Sequence, residues 1–178
     1  MGPNEKQNLK DELMIIKLTR YHIDLWLRKN MKGLIIDLRK HKGGSFYPFT
    51  MAMAPILFST TIFGWGKEKV EQNEQKWINF DDIMNLLYNQ KFLTKELPYD
   101  FPIAIIISNK TASAGEFSAS IFNGRNNVKF FGKRSKGLLS VNTTKNINED
   151  IKIVIPTKFL TSVGGYFHKK EYIDVNVE

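Results

Sequence analysis

An α/β fold with an appended β region is predicted for this 178-residue chain by three observations. Two short apolar runs, LIIDL within Met31–Leu38 and IAIII at Ile103–Ile107, are too short for helices and rich in β-branched residues, the pattern of strands covered on both faces. Each gives way to a polar corner of small residues, Gly43-Gly44 after the first and Thr111–Gly115 after the second, and then to a stretch of helical spacing. Toward the C-terminus, Asp150–Leu160 alternates apolar and polar side chains, as a strand with one solvated face does.

In order, Asn4–Glu12 is polar and reads with the start of the chain as an N-terminal extension, residues 1–12, that frays or caps. Met14–Lys17 (MIIK) is a short strand, and Tyr21–Asn30 has Tyr21, Leu25 and Trp26 near helical spacing. Met31–Leu38 is the next strand. These three make a β-α-β unit, whose crossover should be right-handed and whose strands should be parallel. In that arrangement His22, in the first turn of the helix, lies near the carboxyl ends of the strands, where ligands of open α/β sheets bind.

The segment Asp37–Gly44 (DLRKHKGG) leaves the strand through two adjacent glycines, which permit positive φ and close approach of a ligand to backbone amides. Neither GxGxxG nor GxxxxGK[ST] is completed, so this is not a phosphate-binding fingerprint. Gly44–Leu57 is an apolar helix with Pro48 in its first turn and Pro55 near its end, Thr60–Trp65 a strand, and residues 64–76 an exposed hairpin or loop. Trp77–Tyr99 carries a helical pattern at Ile83, Leu86 and Leu87, followed by loop at Phe92–Leu97. After the central strand, corner and helix come strands at Val128–Phe131 and Asp150–Leu160, a turn at Gly164-Gly165 and a last short strand at Tyr172–Val177.

Composition bounds the chemistry. With 42% hydrophobic residues the chain holds a core of one domain, and no run approaches the roughly 18 apolar residues of a membrane span. The absence of Cys removes thiol catalysis, disulfides and Cys-based zinc sites. The three histidines, His22, His41 and His168, form no ligand pattern such as HExxH, so neither a metal nor a cofactor is expected. The formal charge is +8, and basic residues cluster at Arg28–Lys32, Arg39–Lys42, Lys129–Arg134 with Lys136, and Lys169–Lys170. A solvated basic surface accounts for these clusters, and with no nucleic-acid-binding signature in the chain, nucleic acid is not the expected partner. The polar start has no secretory h-region, so a cytoplasmic location is expected if the chain is complete, and an exported longer precursor stays open.

Ser113 stands at the second corner. Ala112, Ala114 and Gly115 leave space around its hydroxyl, and helix-opening amides beside it suit negative charge developing on a reacting carbonyl. That is the arrangement of a strand-to-helix nucleophile. The other reading is a helix cap, with Glu116 three residues later closing a capping box.

Three stretches, GLIIDLRKHKGG, IAIIISNKTASAGEF and FFGKRSKGLLSVN, resemble in motif, order and spacing the catalytic core of the tail-specific, or C-terminal-processing, serine peptidase family. The resemblance runs from about Met14 to Asp174. It implies a Clp-protease/crotonase-like core, a mostly parallel sheet flanked by helices, and hydrolysis of peptide bonds in peptides or unfolded proteins through an acyl-enzyme. By the same resemblance Ser113 matches the nucleophile, and the amides of Ala114 and of Gly43 or Gly44 match the oxyanion hole. The family's Lys base has Leu138 in its place, within Gly137-Leu138-Leu139, which resembles the tricorn-like branch that uses a His. His41 stands where Asn is common and Ile173-Asp174 where Pro-Asp is usual. No PDZ domain is expected within these residues. The general base stays open among His22, His41 and Lys136, the last through a register shift of two residues, and Glu116 caps or orients. A catalytically silent peptide-binding module is the alternative to an active peptidase.

Overall fold

The computed structural model describes residues 3–57, 61–66, 76–79, 82–85, 101–162 and 171–177. The elements are α1 (Pro3–Arg28), β1 (Leu34–Asp37), α2 (Tyr47–Leu57), β2 (Thr61–Gly66), β3 (Lys76–Asn79), β4 (Ile103–Ile107), α3 (Ala114–Ser120), β5 (Val128–Gly132), β6 (Val141–Asn146) and β7 (Lys152–Ser162).

β1, β4 and β5 form a parallel sheet in that order, with Leu34 opposite Ile103 and Ile103 opposite Val128. Alternation along β4 turns Ile103, Ile105 and Ile107 into the core, together with Ile36, Val128 and Phe130 from its neighbours. Against this face lie Ile16, Ile23, Met51, Leu57 and Phe122, all buried. Each such side chain contributes roughly 1.5–3 kcal/mol by leaving water. The other face carries Ile35, 71% exposed, and the half-buried Ala104, Ile106 and Phe131. The expectation of strands covered on both faces is therefore corrected: the described residues cover one. The appended β region is the second sheet, antiparallel, in the order β3-β2-β7-β6.

The N-terminal reading is also corrected. Met14–Lys17 is not a strand but the middle of α1, and residues 3–12, read as a polar extension, are its first turns, with Leu9 and Leu13 packed on the core. No strand precedes this helix among the described residues, so the expected β-α-β unit does not form. The parallel connections run instead from β1 to β4 and from β4 to β5. Residues 64–66 and 76 lie on the antiparallel arms β2 and β3, as a hairpin requires, while 67–75 lie outside the described residues. So do Phe92–Leu97, Gly164-Gly165 and His168. Tyr172–Val177 runs along β5 with a single parallel bridge, Phe131 to Val177, and is not a strand.

Candidate active site

The loops leaving β1 and β4 emerge side by side at the carboxyl edge of the parallel sheet, because the two strands are neighbours. Polar side chains join them. The buried Thr111 hydroxyl donates to the Leu38 carbonyl at 2.9 Å, the Ser108 hydroxyl donates to the Arg39 carbonyl at 2.8 Å, and the Ala112 amide donates to the His41 carbonyl at 3.1 Å. At the base of the first loop, Asp37 and Arg39 pair at 2.6 Å on the surface, and the hydrogen bond from Arg39 holds the Asp37 carboxyl at a pKa of about 2.

Ser113 sits where this corner becomes α3, at φ 50° and ψ −119°. That is not the β-region backbone of an ordinary cap. A non-glycine residue held there stores about 1–3 kcal/mol of strain, as sharp strand-to-helix turns that present a nucleophile do. The amides of Glu116 and Phe117 both reach the Ser113 carbonyl, at 2.8 and 3.0 Å, and Glu116 closes back on the Ser113 amide. Among the described residues no ionisable side chain hydrogen-bonds to the Ser113 hydroxyl, and the amides of Ala114 and Gly44 have no hydrogen-bond partner.

The glycine turn comes to the serine. Gly43 has φ 134° and Gly44 φ 111°, left-handed backbone that side chains resist. A Cβ on Gly43 would lie 3.3 Å from the Ser113 Cβ and 3.7 Å from its Oγ. Behind it, a Cβ on Gly115 would stand 2.2 Å from the His41 carbonyl oxygen, so only glycine lets α3 approach the first loop this closely.

Glu116 ties a third loop to this corner. It is fully buried. Its Oε1 accepts from the Ser135 hydroxyl at 2.6 Å and the Gly137 amide at 2.8 Å, and its Oε2 accepts from the amides of Ser113 and Leu138, both at 2.8 Å. Four donors on one carboxylate compensate its burial. Ser135 in turn accepts the Ile173 amide at 2.7 Å, a bond that the proline usual in the family could not donate. Sequence reasoning missed Ser135 and Thr111, since their partners lie at sequence separations of 19 and 73, where no local pattern reaches.

The three sequence-derived candidates for a base are placed differently. His22 lies in the last third of α1, not at a helix start. It is exposed between Tyr21 and Trp26, on a helix that leads into the amino end of β1. The Lys136 side chain is exposed. Its amide donates to the Thr111 carbonyl at 2.9 Å, and with Gly137 and Leu138 fixed on Glu116 the loop has no freedom to slip two residues. His41 adjoins the corner: it is half-buried, its Nδ1 accepts the Gly43 amide at 3.4 Å, and burial lowers its pKa, favouring the neutral imidazole.

Among the described residues no group of His, Asp and Glu is arranged to hold a metal ion, and no helix is long and apolar enough to cross a membrane. Comparison with known proteins adds three likenesses. The chain is 28% identical over 155 residues to the nisin-resistance protein of Lactococcus lactis subsp. lactis, covering 85% of this chain and 47% of that protein. It is 29% identical over 150 residues to the carboxy-terminal processing protease CtpA of Bacillus subtilis strain 168, covering 83% of this chain and 29% of that one. Its fold matches a solved photosystem II D1 C-terminal processing protease with a TM-score of 0.65 at 14% identity, over 92% of this chain and 38% of that one. The chain thus spans about half the length of one curated relative and under a third of the other. The model of peptidase family S41 matches residues 17–178, nearly the whole chain, which therefore belongs to that family.

Proposed function

We propose that this chain is the catalytic core of a serine-type peptidase that cleaves peptide bonds through an acyl-enzyme on Ser113. The observation that carries the reading is the convergence on one alcohol of two loops from neighbouring parallel strands. Gly43 packs against the Ser113 side chain, and the Gly44 and Ala114 amides are left without protein acceptors among the described residues. Two such donors suit the oxygen of a tetrahedral intermediate, where each is worth about 2.7–4 kcal/mol of barrier. The Ser113 oxygen bonds to the scissile carbonyl carbon, the C–N bond breaks, and the serine proton leaves with the departing amine by way of a base. Water then attacks the ester and returns the proton to Ser113. His41 is the best placed of the three candidates to serve as that base: it adjoins the corner, and its neutral form is the one a base requires. Glu116 is a positioning residue in this reading, acting through the Ser113 amide.

A fluorophosphonate probe tests the proposal. Wild type is labelled and Ser113→Ala is not; labelling that survives the substitution removes Ser113 from the mechanism.

A second reading, a peptide-binding module without turnover, is favoured by one observation: no ionisable side chain among the described residues hydrogen-bonds to the Ser113 hydroxyl, and the resemblance in sequence implies that Leu138 takes the place of the family's Lys base. It predicts saturable binding of extended peptides without cleavage. Release of new amino termini that Ser113→Ala abolishes would reject it.

A further inference from the structure

We infer that Leu138 is a specificity-determining residue. Its side chain forms one wall of the site for the substrate side chain next to the scissile bond, and that wall selects apolar residues over charged ones. The inference rests on the peptidase reading and extends it to substrate choice.

The shared acceptor sets the position. The Leu138 and Ser113 amides each lie 2.8 Å from Glu116 Oε2, so the two backbone nitrogens stand no farther apart than twice that distance. Single exposed leucines are ordinary on protein surfaces. What separates Leu138 from them is this attachment to the same atom that holds the nucleophile.

The loop around it is fixed from both sides. The amides of Ser135, Lys136, Gly137 and Leu139 donate in turn to the Ile173 carbonyl, the Thr111 carbonyl, Glu116 Oε1 and the Glu171 carbonyl. Leu139 is buried, while Leu138 remains 49% exposed. The Leu138 backbone is therefore fixed close to the Ser113 amide while its large apolar side chain stays in solvent, a preorganised contact for a ligand.

The two segments that meet at the serine also carry apolar rings. Phe117, one helical turn after Ser113, packs ring to ring with Phe46, two residues after Gly44, at 5.5 Å between centroids, and both stay half-buried. A carboxylate or ammonium group pressed against Leu138 would lose water and gain no partner from that side chain, whereas an aliphatic or aromatic group would lose only unfavourable hydration.

Peptide binding measured on the Ser113→Ala chain tests this without requiring turnover. In a set of unblocked peptides differing at one residue at a time, one position should bind with Leu or Phe about tenfold more tightly than with Asp. The added exchange Leu138→Arg, made at an exposed site, should reverse that order at the same position and leave the ranking elsewhere unchanged. An identical ranking in both chains overturns the inference. Absence of saturable binding by every peptide overturns it together with the peptidase reading. Fluorophosphonate labelling of wild-type Ser113 combined with an unmoved ranking overturns the inference alone.

Discussion

The backbone amides of Ser113 and Leu138 share one acceptor, Oε2 of Glu116, each at 2.8 Å. The corner that carries Ser113 and the 135–139 loop are thus fixed to each other through a single buried carboxylate. Removing it orphans four donors at once, each costing about 1–3 kcal/mol when left unsatisfied in the interior. Glu116→Ala should lower stability by at least about 3 kcal/mol in urea denaturation. Glu116→Gln should also destabilise, by less, because its amide nitrogen meets two donors where an acceptor stood. A Gln variant as stable as wild type would contradict the assigned geometry.

Gly115 tests how tightly α3 is pressed against the first loop. A methyl there lies 2.2 Å from the His41 carbonyl oxygen, and that oxygen is held by the Ala112 amide, so the backbone has to yield. Gly115→Ala should cost about 1–3 kcal/mol and weaken probe labelling of Ser113. Gly43→Ala, at φ 134°, should cost a similar strain and depress labelling more than it depresses the melting temperature, since its methyl points at the Ser113 side chain. Unchanged labelling in both variants would separate the glycine turn from the serine.

His41 makes the corner sensitive to acid. Burial lowers its folded-state pKa, so as pH falls below the ordinary histidine value of about 6.5 the unfolded chain takes up the proton first and stability declines. Well above that pH both states are neutral and His41 contributes no slope. Protonation also turns Nδ1 from acceptor into donor and ends its bond with the Gly43 amide. Denaturation midpoints of wild type should fall between pH 7 and pH 5.5 more steeply than those of His41→Asn, whose side-chain oxygen still accepts from Gly43. Parallel curves for the two proteins would contradict this account.

The strand, corner and helix around Ser113 were legible because β4 is a short β-branched run and the corner is built of small residues, patterns set within a dozen positions. α1 was not. Its buried stripe (Ile16, Ile23, Leu27) is accompanied by an exposed one (Met14, Ile15, Leu18, Tyr21, Trp26), and apolar residues on two sides erase the helical period, so Met14–Lys17 read as a strand. His22 was misplaced for the same reason, since its position at the sheet edge depended on that strand. Glu116 was visible as a cap, one turn after Ser113. Its partners Ser135, Gly137 and Leu138 were not, because the parallel crossover to β5 that brings them back leaves no trace in local spacing.

The most direct test of the central claim is a crystal structure of the chain after reaction with a peptidyl phosphonate. The account predicts phosphorus bonded to Ser113 Oγ and a phosphoryl oxygen about 2.7–3.1 Å from the Ala114 and Gly44 amide nitrogens. An adduct on another residue, or a phosphoryl oxygen turned away from both amides, would contradict it.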